Sequence, residues 1–487
     1  MKRNSINIKN VIINILFVIL LVLAICGTSF VLEDKSIINK NKDFFNQDED
    51  FDVLFFGSSH SELFFNPMIL WKQYGIVSYN FGNPEEGIPV SYWLMKNAIE
   101  THKPKIIVFD VSMIENGSVY SGEDHLHYAL DSFPLSKSKL DAANDLLNNT
   151  SEKLSLLFTI GYNHSRWKEI SKPKNNFVKG SFSYGEWHTK GCKSFEQLPI
   201  TYELSSIDKE NQDIVYINKI IELCKDNDVE LVLTANPFIC PMEKQELINS
   251  VEMLALRKNV TFVNLIKTNR IIDYNIDLYD KEHVNQSGLN KMSIYWGSYL
   301  VTNYELQDHR GDSKYYKLWE KEYEDFKQLK YESMWWLTDN IEEFLQMLHD
   351  KDFNVSIFVG AESQVYMQSK NFARLIHNIG REDITVSIPK ELNSSDQWTL
   401  NNLDDSLGCK NYAVTFSGGE IIEERTGKSS ELLISSQFEN IDVNSEDVII
   451  IVSDNETKDV KLVRKYTNSI EIGENIHVNI PQLYFKE

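Results

Sequence analysis

The chain has 487 residues, 42% hydrophobic and 12% aromatic, which is enough apolar material for two globular units with real cores. Its formal net charge of −22, from 49 Lys and Arg against 71 Asp and Glu, excludes the basic stripe that a nucleic-acid partner or an anionic lipid surface would require. The five cysteines show no CxxC or zinc spacing, which leaves a Cys192–Cys240 disulfide and reduced buried thiols as equal alternatives.

Lys2, Arg3 and Lys9 precede an apolar run, Val11 to Leu32, whose one strongly polar member is Asn14. At about 20 residues it is long enough to cross a bilayer. Positive charge before it predicts a cytoplasmic tip, a single crossing of the cell membrane and an extracytoplasmic bulk. No A-x-A site follows, and Ile25 before Cys26 is a poor lipoprotein box, so an uncleaved anchor over residues 1–32 is preferred to a removed signal peptide. Residues 33–50 are polar and read as a tether.

A first domain is expected over residues 51–306. Strand-like runs at Val53 to Gly57, Ile76 to Gly82, Lys105 to Ser112, Glu230 to Pro237 and Val260 to Leu265 alternate with helix-like stretches such as Ser91 to His102 and Ile214 to Asn227. Continuous apolar strands separated by helices predict an α/β domain with a mostly parallel sheet covered on both faces. Its site should form at the carboxyl ends of the strands, where Ser59, Asn80, Gly82, Asp110 and Asn236 fall. Regularity fades between 113 and 205, an insertion at the edge where insertions shape substrate grooves. Gly288 to Leu306 reads as a closing helix, and Lys314 to Trp336 as part of a charged, Tyr-rich helical linker over 307–350. A smaller α/β or β-rich accessory domain follows over 351–487, with strands at Asn354 to Ala361 and Asp447 to Asn455, a helix near Ser369 to Gly380, and a hairpin in Tyr412 to Arg425 turning at Gly418-Gly419.

Two motifs carry the chemistry. In Phe51 to Phe65 an apolar run stops at Gly57-Ser58-Ser59, delivering a serine to the end of a buried strand. In Asp277 to Gly288, Asp280 and His283 stand three apart, so one loop can offer an imidazole to a serine while a carboxylate holds its other nitrogen. A serine hydroxyl needs a base with a pKa near ambient, which histidine has without adjustment. Ser59 as nucleophile, His283 as base and Asp280 as orienting acid form an acyl-transfer triad in the order Ser, Asp, His.

GSSHSELFFNP, YNFGNPEEG and DKEHVNQSG, within residues 50 to 305, resemble the first, second and fifth blocks of the SGNH (GDSL-like) hydrolase superfamily, more narrowly its membrane-anchored envelope branch with the alginate O-acetylation and D-alanyl-lipoteichoic-acid transfer proteins. The resemblance implies a flavodoxin-like three-layer fold and an oxyanion hole made by the backbone N–H groups of Ser59 and Gly82. It also implies esterase or acyltransferase action on acyl groups such as acetyl, with envelope polysaccharide or teichoic acid as partner and a multi-pass membrane acyltransferase as a further one. Two departures stand out. Ser58 replaces the usual Asp and adds a competing hydroxyl. The Asn that completes the hole has no match after Lys105 to Ser112, which leaves Asn80 either as the missing donor or as a turn cap.

Other residues are weaker candidates. His60 adjoins the serine, and neighbours in sequence point apart, which favours a structural or substrate-facing role. DHLHY (Asp124 to Tyr128) has H-x-H spacing without further ligands, so neither metal nor cofactor is expected. His164 to Trp167 is similar to a stretch in relatives of that branch; Arg166 and Trp167 would suit a sugar or phosphate, or simply pack an insertion helix. The C-terminal NVSIFVGAE and YAVTFSGGEIIEE faintly resemble an interleukin-like domain appended to some surface-polysaccharide proteins, which leaves binding and passive roles open.

Overall fold

The computed structural model describes residues 8–32, 50–115, 122–168, 193–206 and 210–337, with isolated positions between 41 and 48 and short runs between 341 and 478. Five parallel strands, β1 (Val53–Phe56), β2 (Ser78–Asn80), β3 (Ile106–Asp110), β4 (Glu230–Ala235) and β5 (Thr261–Asn264), are ordered β2-β1-β3-β4-β5. This is the flavodoxin-like order, which has its switch point at β1 and β3.

The strand sequences explain the three layers. Side chains alternate across a strand, so an unbroken apolar run feeds two cores. Leu54 and Phe56 of β1, with Ile107 and Phe109 of β3, enter one core with the helices Ile88–Thr101 and Gln212–Asp226. Val53, Phe55, Ile106 and Val108 enter the other, against Leu289, Met292, Trp296 and Leu300 of the helix Gln286–Asn303.

Three expectations need correction. The insertion is helical where described, with helices Glu123–Leu130, Lys137–Leu146 and Thr150–Leu157. Side-chain caps at Ser136 and Asn149 start the second and third, and lengths of only 8 to 10 residues hide their periodicity. The tether and linker also belong to the domain. Phe44 is fully buried and stacks on Phe51, while Trp319, Tyr323 and Phe326 of the helix Ser313–Leu337 enter the same core. Polar composition concealed this, because single aromatics at helical spacing suffice to cover a core edge. Finally, Gly419 opens a strand instead of a turn.

The C-terminal strands are β6 (Phe353–Val359), β7 (Thr385–Pro389), β8 (Gln397–Trp398), β9 (Gly419–Ile422), β10 (Leu432–Ser436), β11 (Asn440–Val443), β12 (Asp447–Asp454), β13 (Val460–Thr467) and β14 (Gly473–Val478). They form a six-stranded sheet, β14-β13-β12-β6-β7-β8, and a three-stranded one, β11-β10-β9, antiparallel except for β6 with β7. Gly419 pairs with Ser436; residues 412–418 of the expected hairpin and the helix expected near 369–380 lie outside the described residues.

The N-terminal helix Ile8–Leu32 carries Lys9 and Asn10 in its first turn and is predominantly apolar from Val11 onward. Its span Val11–Leu32 has a mean hydropathy of 3.0 and is 6% buried, and 25 residues at ~1.5 Å each cover a bilayer core. Length and composition fit a membrane-spanning helix or a signal sequence alike.

Candidate active site

β1 is followed by Gly57, whose φ of 140° lies where side chains are strained, and a Cβ there would press on Asp110 and Ser61 at 3.1 Å. The chain then turns directly into the helix Ser59–Phe64. Ser58 is its buried N-cap, its Oγ accepting from the His60 N–H at 3.4 Å. Ser59 is the first helical residue, so its own N–H has no intrahelical acceptor.

Ser59 Oγ lies 2.8 Å from His283 Nε2, and His283 Nδ1 lies 2.9 Å from both oxygens of Asp280. An ionised carboxylate only accepts, so Nδ1 carries the proton and Nε2 receives the serine hydroxyl. Burial opposes ionisation of Asp280, but hydrogen bonds from His283 Nδ1 and from the N–H groups of Glu282 and His283 outweigh it and hold the carboxyl below its usual range. The loop itself is braced. Leu278 and Val284 bridge its ends, and buried Asp277 accepts from Ser287 Oγ and Lys291 Nζ of the helix Gln286–Asn303 at 2.8 Å each.

Two of the three expected oxyanion donors, Asn80 and Gly82, are otherwise engaged. Asn80 Nδ2 donates to the carbonyls of Ser61, Glu62 and Phe65 at 2.9, 3.2 and 2.7 Å, and its Oδ1 accepts the Gly82 N–H at 2.8 Å. Asn80 is fully buried, so of the two alternatives left open the structure matches the turn-holding one, and the Gly82 N–H is turned to Asn80. Gly82 serves a close approach instead, since a Cβ there would stand 2.1 Å from the Glu62 nitrogen. At the end of β3, buried Asp110 accepts from the Ser112 hydroxyl and N–H and from the N–H and Nδ2 of Asn236, whose Oδ1 accepts Trp296 Nε1. Burial raises the Asp110 pKa against these bonds.

His60 stands beside the triad with its ring centroid 5.8 Å from that of His283 and 4.6 Å from that of Phe238. Burial, with His283 and Lys244 nearby, pushes its pKa down to about 3, so it is a neutral ring. Arg166 and Trp167 are placed elsewhere: Arg166 Nη1 donates to the Leu32 carbonyl at the end of the N-terminal helix, and Trp167 is 63% exposed. His127 is a structural hub, bonded to Asp131 and Ser155 and stacked on Tyr162 at 4.0 Å. His125 pairs with Glu85 at 3.1 Å. Among the described residues no group of three His, Cys, Asp or Glu is placed to hold a metal. Cys240 is a buried free thiol, its pKa pushed up to about 12 by burial, and Cys192 lies outside the described residues.

Sequence reasoning missed Asp277 as the clamp of the histidine loop and the pairing of Asp110 with Asn236. The sequence signals for them are the further aspartate, beside Asp280, of the Asp277 to Gly288 motif and the place of Asp110 and Asn236 at the ends of neighbouring apolar runs.

Fold and site together define a flavodoxin-like α/β domain with a Ser–His–Asp relay at the carboxyl edge of its sheet. No family model matches the chain, and no curated protein does. Among solved structures, a candidate acylhydrolase of Bacteroides fragilis NCTC 9343 aligns at 10% identity over 53% of this chain and 89% of its own, with a TM-score of 0.27.

Proposed function

We propose that the protein is a membrane-anchored serine acyltransferase or esterase acting on acyl groups of an envelope polysaccharide, acetyl being the simplest. The observation that carries the reading is the relay from Ser59 Oγ through His283 to Asp280, at 2.8 and 2.9 Å. In this reading His283 Nε2 takes the Ser59 proton as Oγ attacks the acyl carbonyl, and Asp280 stabilises the imidazolium that forms. The Ser59 N–H meets the oxyanion. Collapse of the tetrahedral species leaves an acyl-serine and gives the proton to the departing oxygen. A sugar hydroxyl or water, deprotonated by the same imidazole, then releases the acyl group.

The apolar N-terminal helix supports an extracytoplasmic catalytic domain on a single-pass anchor. D-alanyl transfer to teichoic acid would use the same relay. A non-catalytic polysaccharide-assembly role is favoured by a different observation, the engagement of Asn80 and Gly82 away from the serine. The test is labelling of the full chain, in detergent, by a fluorophosphonate probe, together with release of acetate from acetylated polysaccharide. Labelling that disappears in Ser59→Ala and falls sharply in His283→Ala supports catalysis. Equal labelling of Ser59→Ala and wild type would overturn it, and neither labelling nor turnover in the wild type would favour assembly.

A further inference from the structure

We infer that the helical insertion is a membrane seat, resting its exposed apolar side chains in the interface of the bilayer leaflet from which the N-terminal helix emerges. The inference rests on reading that helix as an anchor. The insertion is in direct contact with the helix's C-terminal turns. Ser29 Oγ accepts from the Ile160 N–H at 3.1 Å, and the Leu32 carbonyl accepts Arg166 Nη1 at 2.7 Å. Between them lies a cavity of about 310 Å³, with Phe30 on one wall and Phe133, Leu135 and Leu157 on the other.

Beyond the cavity the apolar surface continues outward. Phe30 and Val31 of the helix are 56% and 48% exposed, and Leu135, Leu154 and Trp167 of the insertion are 58%, 52% and 63% exposed. Leu154 lies one turn before Leu157 on the same helical side. Large apolar side chains left in water beside the end of a spanning helix cost free energy that lipid would return, and tryptophan suits the headgroup level. Acidic and basic side chains nearly balance over 123–168, so the seat is hydrophobic and does not depend on anionic lipid.

The seat also has a mechanical link to the site. His125, on the first insertion helix, pairs with Glu85 in the loop after β2, and Asn83 of that loop donates its N–H to Gly57 O at the base of the serine turn. Seating the insertion therefore orients the carboxyl edge of the sheet with respect to the membrane.

The experiment uses the full chain in phosphatidylcholine nanodiscs that contain a lipid with a diazirine at the top of its acyl chain. After irradiation, lipid adducts are mapped by mass spectrometry. Adducts are expected on Val11–Leu32 and on 135–168, with Leu256, 70% exposed on the helix Met242–Lys258, unlabelled as an internal control. Leu135→Glu with Leu154→Glu and Trp167→Glu should reduce the insertion adducts several-fold while those on the N-terminal helix persist. Adducts confined to the N-terminal helix, or equal labelling at Leu256, would overturn the seat and leave the anchor intact. Adducts on the insertion alone would overturn the anchor and keep the seat, and adducts on neither would sink both.

Discussion

Asn80 and Ser61 are joined by a 2.9 Å hydrogen bond from the Asn80 amide to the Ser61 carbonyl, so a side chain at the end of β2 holds the helical turn that aims Ser59. The same amide reaches the carbonyls of Glu62 and Phe65. Replacing Asn80 by Ala leaves three buried acceptors without it and should lower stability by about 3 kcal/mol. Probe labelling should fall in parallel with the melting temperature. A stable Asn80→Ala protein with a pure turnover defect of about 10²-fold would instead mark an oxyanion donor.

Asp280→Asn tests the relay. Asn can accept the backbone N–H groups of Glu282 and His283 but presents the wrong partner to the imidazole. Turnover should drop by orders of magnitude, roughly 10⁴-fold as for an amidated triad carboxylate, with the melting temperature nearly kept. Near-normal turnover in a well-folded variant would remove Asp280 from the mechanism.

Ser58→Ala separates the two hydroxyls. Ser58 caps the helix, so its loss should cost about 1 kcal/mol of stability while probe labelling continues. Loss of labelling with an unchanged melting temperature would move the nucleophile to Ser58.

Gly82→Ala drives a methyl group to 2.1 Å from the Glu62 nitrogen, an approach neither backbone can yield without moving the helix Ser59–Phe64. A melting temperature lowered by the equivalent of about 1–3 kcal/mol and weaker labelling are expected. Wild-type values for both would show that the loop relaxes freely.

Asp213 gives the chain a pH dependence. It accepts the Glu115 N–H where the chain leaves the sheet edge for the insertion, and burial raises its pKa to about 6. A carboxyl with a folded pKa above its unfolded value of about 3.9 contributes stability that is full below that value and is lost as pH rises through the folded pKa. Wild type should therefore lose stability between about pH 4 and 6 relative to Asp213→Asn, which keeps an acceptor for Glu115. Parallel melting-temperature profiles of the two proteins over that range would refute the assignment.

The sheet and the two halves of the site are legible because each is a short-range signal, and Ser59 and His283, 224 positions apart, are joined by the base a serine hydroxyl needs and not by any local pattern. Apolar runs such as Val53 to Phe56 need no partner to be read as buried strands, and Asp280 with His283 sit within one loop. What stayed hidden lies between distant residues. Asp110 meets Asn236 across β3 and β4, 126 positions apart, and although both fall at the carboxyl edge of the sheet, nothing in either strand specifies that their side chains pair. The insertion's helices were hidden for a different reason, since short capped helices follow local hydrogen bonds at Ser136 and Asn149 more than a long apolar stripe.

The burial of Phe44 before the sheet and of Trp319, Tyr323 and Phe326 after it bears on how the protein can be dissected. Asp52, at the foot of β1, is also bound by His309 at 2.8 Å, so both flanks close over the same strand. A fragment cut at 51 and 306 would therefore shed a layer of its own core and expose aromatic surface, and a fragment that keeps this core must run from before Phe44 to beyond Phe326. Limited proteolysis should trim such a piece slowly at its ends and leave those two flanks attached.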